Sequence, residues 1–166
     1  MLQKLLFLLL LLPMIANAQS SSPSGHVTSE VNVFLGTSGD HGQLSPAVSY
    51  PFSMMSIGPQ TYPKLHAGYE YEAKRFLGFT HNRFEGIGCQ GSGGNILIKP
   101  FVGNDTQAEL IKDKQFAAPG YYQATFTYHI SAEFSVYNKS GMHRYTFPEG
   151  KKGFVIDLSH TLDDNL

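Results

Sequence analysis

A chain of 166 residues with 12 Lys and Arg against 13 Asp and Glu is close to neutral, which leaves no electrostatic footprint for nucleic acid or an anionic membrane. Its single cysteine, Cys89, excludes an internal disulfide, so the fold must rest on its apolar core. Aromatic residues make up 13% of the chain, all Phe or Tyr, a composition that suits strands and sugar-facing surfaces alike.

The amino terminus reads as a targeting segment. Lys4 precedes the leucine-rich run Leu5 to Leu12, Pro13 breaks it, and Ala16-Asn17-Ala18 supplies the small-x-small pattern of a signal peptidase site. The run is far shorter than the roughly 20 residues that a membrane span requires. A signal peptide over residues 1–18 is therefore expected, cleaved after Ala18. The mature product would be secreted or periplasmic, with no membrane span. Residues 19–30 open with a Ser, Pro and Gly cluster and read as a flexible lead-in. Residues 31–166 are then enough for one modest domain.

From Val31 to about Gly94 the chain is loop-heavy, with short apolar runs at Val31 to Leu35 and Met54 to Ile57 between Gly, Pro and Ser clusters. No window sustains a helical period. Ile96-Leu97-Ile98 is a short apolar run closed by Pro100. Beyond it the pattern sharpens. Tyr122, Ala124, Phe126 and Tyr128 alternate with polar residues, and so do Ile130, Ala132, Phe134 and Val136, which is the period of half-buried strands. Asn138 to Gly141 reads as a turn, His143 to Phe147 as a strand, Pro148-Glu149-Gly150 as a turn, and Phe154 to Leu158 as a further strand. Strands so close together form an antiparallel meander. The fold expected is all-β, an antiparallel β-sandwich. Because only His160 to Leu166 follow the last strand, its edge would lack a partner. The sandwich is therefore expected to be incomplete at its C-terminal end, in a truncated chain.

Several motifs have bland readings. Gly86-Ile87-Gly88-Cys89-Gln90-Gly91 fits the dinucleotide pattern, but Ser92-Gly93-Gly94-Asn95 and a strand follow where a helix is required. It reads instead as a loop that needs positive φ at several positions or a close backbone approach. No H-E-x-x-H pattern supports zinc. Cys89, flanked by glycines without a local base, suits a small packed residue. Asp163-Asp164-Asn165 lacks the spacing of a calcium loop.

The stretch Gly78-Phe79-Thr80-His81-Asn82-Arg83-Phe84-Glu85-Gly86 is richer. It sets an imidazole, a guanidinium and a carboxylate between aromatics and beside a glycine-rich loop. Aromatic faces joined to planar hydrogen-bonding groups are what a sugar site uses. An Arg83–Glu85 pair on a strand surface fits the same residues, and the residues alone leave both readings open.

Val31-Asn32-Val33-Phe34-Leu35-Gly36-Thr37, Pro46 with Tyr50-Pro51-Phe52-Ser53-Met54, Gly68-Tyr69-Glu70-Tyr71, Leu77 to Cys89, Ala118-Pro119-Gly120-Tyr121-Tyr122, His143-Arg144-Tyr145-Thr146-Phe147-Pro148 and Ile156-Asp157-Leu158-Ser159-His160 run in order along the chain. In that order they resemble the opening of family 92 glycoside hydrolases. The resemblance implies an N-terminal β-sandwich followed in cis by a large helical catalytic domain. It also implies an inverting, calcium-dependent exo-α-mannosidase acting on mannose-containing glycans. The family's catalytic carboxylates lie in the helical part, so no catalytic residue is expected here: Asp40, Glu70, Glu85 and Asp157 do not sit where the family places its catalysts. His81 matches the first histidine of the family's H-T-H segment. Arg83 and Glu85 stand where the family has a second histidine and a small serine, and Tyr62 or His66 stands near the position of a family tryptophan. The substrate-binding set implied is Tyr62, His66, His81, Arg83, Glu85 and Cys89, with calcium ligands expected mainly in the helical domain. A non-catalytic carbohydrate-binding or adhesive module is the alternative, and a structural envelope protein is a third reading.

Overall fold

The computed structural model describes residues 27–39, 43–62, 67–84 and 92–162. Among them eight strands follow one another: β1 Ile57–Tyr62, β2 Arg75–Phe84, β3 Ser92–Val102, β4 Leu110–Ala118, β5 Tyr121–Phe126, β6 Ile130–Tyr137, β7 Ser140–Thr146 and β8 Lys152–Asp157. Short 3-10 turns at Val27–Glu30 and Thr127–His129 are the helical elements of the described residues. The strands run in the order β7-β6-β5-β4-β2-β3-β8, with β1 on the free side of β2. All pairings are antiparallel. The all-β expectation holds. The sheet curls so that β1 and β2 face β5, β6 and β7. Its two halves are joined where Arg75 and Phe76 of β2 pair with Ile111 and Leu110 of β4.

Strands β5 and β6 follow the alternation of their sequence, but Tyr128, expected to continue the series after Phe126, lies in the 3-10 turn at φ 66° and is 60% exposed. Tyr122, Ala124 and Phe126 of β5 and Ile130, Ala132, Phe134 and Val136 of β6 are buried, with partly or fully exposed residues between them. The β6–β7 turn is tighter than the sequence suggests. Ser140 and Gly141 already pair with Tyr137 and Val136, because the backbone ladder extends into polar residues that carry no periodic signal. Asn138 turns the chain with φ 55°, a left-handed conformation that asparagine tolerates.

Strands β1, β2 and β4 were not signalled by alternation. In β2 the period of two is broken at Gly78, whose φ is +152° and where a Cβ would come within 2.7 Å of the Ile98 carbonyl oxygen. The register with β1 shifts between Gln60 and Thr61, which pair with Gly78 and Phe76 and leave Leu77 as the extra residue, so Phe76 and Phe79 both reach the core although they are three positions apart. Strand β3 continues through Pro100, which the sequence reading took as its end. Beyond Ile98 the strand has β8 alone as neighbour, and proline is tolerated on such an unpaired edge.

Aromatic side chains tie the halves together. Phe79 of β2 lies 4.3 Å from Phe134 of β6 between ring centroids, and Phe76 meets Phe126 edge-on at 5.2 Å. Each ring buried in this way contributes about 1.5–3 kcal/mol. The Tyr69 and Tyr122 hydroxyls both donate to Gln115 Oε1, at 2.8 and 3.1 Å, so their polar tips are satisfied beneath the rings.

Candidate functional site

The end of β2 is held from below by Arg83. Its side chain is 7% exposed. Nη1 donates to Thr80 Oγ1 at 2.7 Å, to the Pro59 carbonyl at 3.1 Å and to Gln60 Oε1 at 3.4 Å. Nη2 donates to the Ala67 carbonyl. The guanidinium thus runs back along the sheet and stitches β2 to β1 and to the Ala67 loop, a task that suits its planar fork. Ser56 locks the backbone of the same residue: Arg83 N donates to Ser56 Oγ at 2.8 Å, and that hydroxyl donates to the Arg83 carbonyl at 3.3 Å. What the structure gives Arg83 to do is anchor the strand end.

His81, two residues earlier, is half-buried and equally engaged. Its Nδ1 lies 2.9 Å from the Ile96 carbonyl oxygen and its Nε2 lies 2.9 Å from Nε2 of His143 on β7. His143 Nδ1 in turn lies 3.0 Å from the Tyr145 hydroxyl. Burial, with His81 as a second influence, pushes the pKa of His143 down to about 4. Burial likewise drives the Tyr145 phenol upward.

Phe84 closes the strand and is 61% exposed. Two hollows flank it. One, of about 350 Å³, is lined by Ala47, Ser49, Ser53, Met54, Ser56, Arg83 and Phe84. The other, of about 520 Å³, is lined by Met54, Met55, Asn82, Phe84, Asn95 and Lys139. An accessible ring between concavities carrying hydroxyl, amide and ammonium groups is a surface that can stack on one face of a polyol and hydrogen-bond its edge. The sequence reading marked the aromatics of this stretch only as neighbours of its charged residues. It missed Asn95, Ser56, Lys139 and His143, which only the pairing of distant strands brings here.

Glu85, Cys89 and His66 lie outside the described residues. Tyr62 is set apart from His81 and Arg83. The register places Ile57 opposite His81 and Tyr62 opposite Arg75, roughly 17 Å further along the strand at about 3.4 Å per residue. There Tyr62 is 55% exposed, with the Arg75 guanidinium 4.7 Å from its ring centroid. Of the glycine-rich loop, Gly93 and Gly94 are described, at φ +74° and +65°. A Cβ on Gly93 would lie 2.0 Å from the Asn82 carbonyl oxygen, so this position at the start of β3 needs both positive φ and a close backbone approach, whereas the Gly86–Gly91 motif lies outside the described residues.

The described carboxylates serve the fold. Burial opposes charge on Glu70, but the Ser38 hydroxyl, the backbone N–H groups of Glu72 and Gly39, and Lys112 outweigh it and hold the carboxyl below its ordinary value. Asp157 accepts from both the N–H and the hydroxyl of Ser159, at 2.9 and 2.7 Å. Among the described residues no three His, Cys, Asp or Glu side chains converge in a way that could hold a metal ion, so the calcium that the resemblance implies finds no ligand set in them. No helix among them is long and apolar enough to cross a membrane.

Comparison with known proteins agrees with this fold. The sequence model of the glycosyl hydrolase family 92 N-terminal domain matches residues 30–165. A family GH92 alpha-mannosidase from Bacteroides thetaiotaomicron superposes with a TM-score of 0.74 at 29% identity, over 81% of this chain and 20% of that one. A second structure, of a GH92 family glycosyl hydrolase, gives 0.73 at 30% identity, over 81% of this chain and 20% of that one. A family GH92 inverting mannosidase from Bacteroides thetaiotaomicron VPI-5482 gives 0.64 at 22% identity, over 78% of this chain and 19% of that one, and bears on the fold alone. The chain thus spans about a fifth of the length of these structures. No curated protein matches it.

Proposed function

Since the chain belongs to glycosyl hydrolase family 92, as its N-terminal domain, we propose that it serves a secreted or periplasmic, calcium-dependent, inverting exo-α-mannosidase that acts on mannose-containing glycans, with a helical catalytic domain in the same chain. Its share of the work is to form one wall of the glycan cleft. The observation that carries this reading is the end of β2, where an exposed Phe84 stands between two hollows on a strand end pinned by the buried Arg83.

Inverting hydrolysis needs an acid and a base roughly 6.5–9.5 Å apart, with room for a water molecule. Of the carboxylates named as candidates, the described Glu70 and Asp157 are committed to backbone and hydroxyl groups, and in this reading the proton transfers belong to the other domain. In this reading Phe84 stacks on a sugar face, while Asn82, Asn95 and Lys139 meet its hydroxyls. Glu85, Cys89 and His66 border the same cleft. Arg83 and His81 act from beneath, as positioning residues that set where the loop starts.

The test is kcat/KM of Phe84→Ala and Glu85→Gln in the full-length enzyme, on a natural mannose disaccharide and on an activated aryl α-mannoside. Losses of roughly ten- to a hundredfold, confined mainly to the disaccharide, are expected for groups that bind the leaving-group side. Wild-type rates of both variants on both substrates would overturn the placement of the cleft. Export is tested separately: the intact mass of the secreted protein is expected to correspond to an N-terminus at Gln19, and one still at Met1 would refute signal cleavage.

A further inference from the structure

We propose that His81, His143 and Tyr145 form a directional hydrogen-bond relay that clasps β2 to β7 and admits one added proton but never two. The geometry fixes the direction. The Ile96 carbonyl can only accept, so His81 Nδ1, 2.9 Å away, carries the hydrogen. In a neutral ring the other nitrogen, Nε2, then holds a lone pair. It points at His143 Nε2, also 2.9 Å away, which must therefore carry its own hydrogen and donate. His143 Nδ1 is left as the acceptor, and the Tyr145 hydroxyl at 3.0 Å donates to it. The chain runs from Tyr145 through His143 and His81 to Ile96.

The two imidazole planes differ by 17° and their centroids lie 4.9 Å apart. With the nitrogens at hydrogen-bond distance, the rings meet edge to edge through their Nε2 atoms, not face to face. The clasp joins residues 62 positions apart, one from each half of the curled sheet. The edge of the His143 ring meets Phe134 of β6 at 4.7 Å.

Proton balance follows from the same atoms. A proton from solvent is accommodated on His143 Nδ1 if the Tyr145 hydroxyl turns to accept from it. The same proton can pass to His81 across the Nε2–Nε2 bond, so the two rings hold it as a pair. A second proton would set N–H against N–H at 2.9 Å and part the rings. Among the described residues the neighbours offer no charge to relieve this. Opposite His81 stand Ile57 of β1 and Asn95 of β3, and opposite His143 stands Phe134 of β6. Arg144 is paired with Glu133, Asp157 of β8 is turned to Ser159, and Lys139 lines the adjoining hollow with Asn82 and Asn95. Acid therefore acts on the clasp through these two rings. The low pKa of His143, near 4, accords with that.

The test uses the full-length protein. Exchange of the histidine C2 protons, read by mass spectrometry across the acid range, reports each ring's protonation. Backbone amide exchange over the β2 and β7 peptides reports whether the strands stay paired. His143 is expected to protonate with a midpoint near about 4, with amide exchange of both peptides rising as a second proton enters. Both rings protonated at one pH while the two strands stay protected would overturn the proposal. At neutral pH, His143→Leu leaves His81 Nε2 without its donor, and amide exchange in both peptides should rise about tenfold, whereas His143→Gln, which keeps an N–H aimed at His81, should stay within about twofold. Unchanged protection in His143→Leu would also overturn it.

Discussion

The side chains buried in β5 and β6 are aromatic or aliphatic, whereas β1, β2 and the loops before them bury Thr37, Gln60, Thr61, Glu70, Thr80 and Arg83. The two regions face each other across one core, yet they are built differently. Strands β5 and β6 gain their stability from apolar area and keep a strict period of two, while the register shift at Lys112/Lys114 and the left-handed Tyr128, His129 and Asn138 lie outside that alternation. The β1–β2 region is held by directed hydrogen bonds, with register shifts at Gln60/Thr61 and Phe79/His81 and left-handed backbone at Asn82, Gly93, Ile96 and Gly94. A polar network places atoms more exactingly than apolar packing does, because hydrogen bonds fail with small displacements. The irregular half is the one that carries the proposed cleft wall, and departures from local regularity gather at sites that serve a function.

The largest expected effect lies in the meander. Phe134→Ala, at the meeting point of Phe79, Tyr122, His143 and Tyr145, should lower unfolding stability by about 3–5 kcal/mol in urea denaturation. Next comes Arg83→Leu. It leaves the Thr80 hydroxyl and the Pro59 and Ala67 carbonyls without their donor, a loss of about 2–4 kcal/mol. Arg83→Lys should restore only part of it, since an ammonium cannot reproduce the fork. If Lys restored it fully, the polar half would depend on charge alone and the contrast between the regions would blur.

A smaller effect comes from pH. His143 titrates near 6.5 when unfolded and near 4 when folded, so between those values the unfolded chain binds more protons and acid favours it. Its contribution is fully present above about pH 6.5 and is lost as pH falls through about 4. Glu70, whose folded pKa is also lowered, adds a loss in the same direction at carboxylate pH. Urea midpoints measured down this range should fall, and His143→Gln should flatten the upper part of the slope. The smallest effect is expected on the outer face of the meander. Glu133→Gln breaks the exposed pair with Arg144, which solvent screens, and Tm should not move measurably. A clear drop there would mean that the meander, too, leans on polar contacts.

Alternation from Tyr122 to Val136 and the short turns after it were enough to read an antiparallel all-β fold, because a strand's two faces are set by neighbouring residues and need no tertiary partner. The motif from Gly78 to Gly86 left a sugar-site reading and a surface-pair reading both open. Which way its side chains turn was decided by the tertiary structure alone. Arg83 reads equally as a sugar-binding group or a surface charge until Pro59 and Ala67 are brought beneath it, and His81 meets His143 only because the sheet curls β7 back over β2. Burial and hydrogen-bond partners are properties of residues distant in sequence, and no local pattern encodes the encounter.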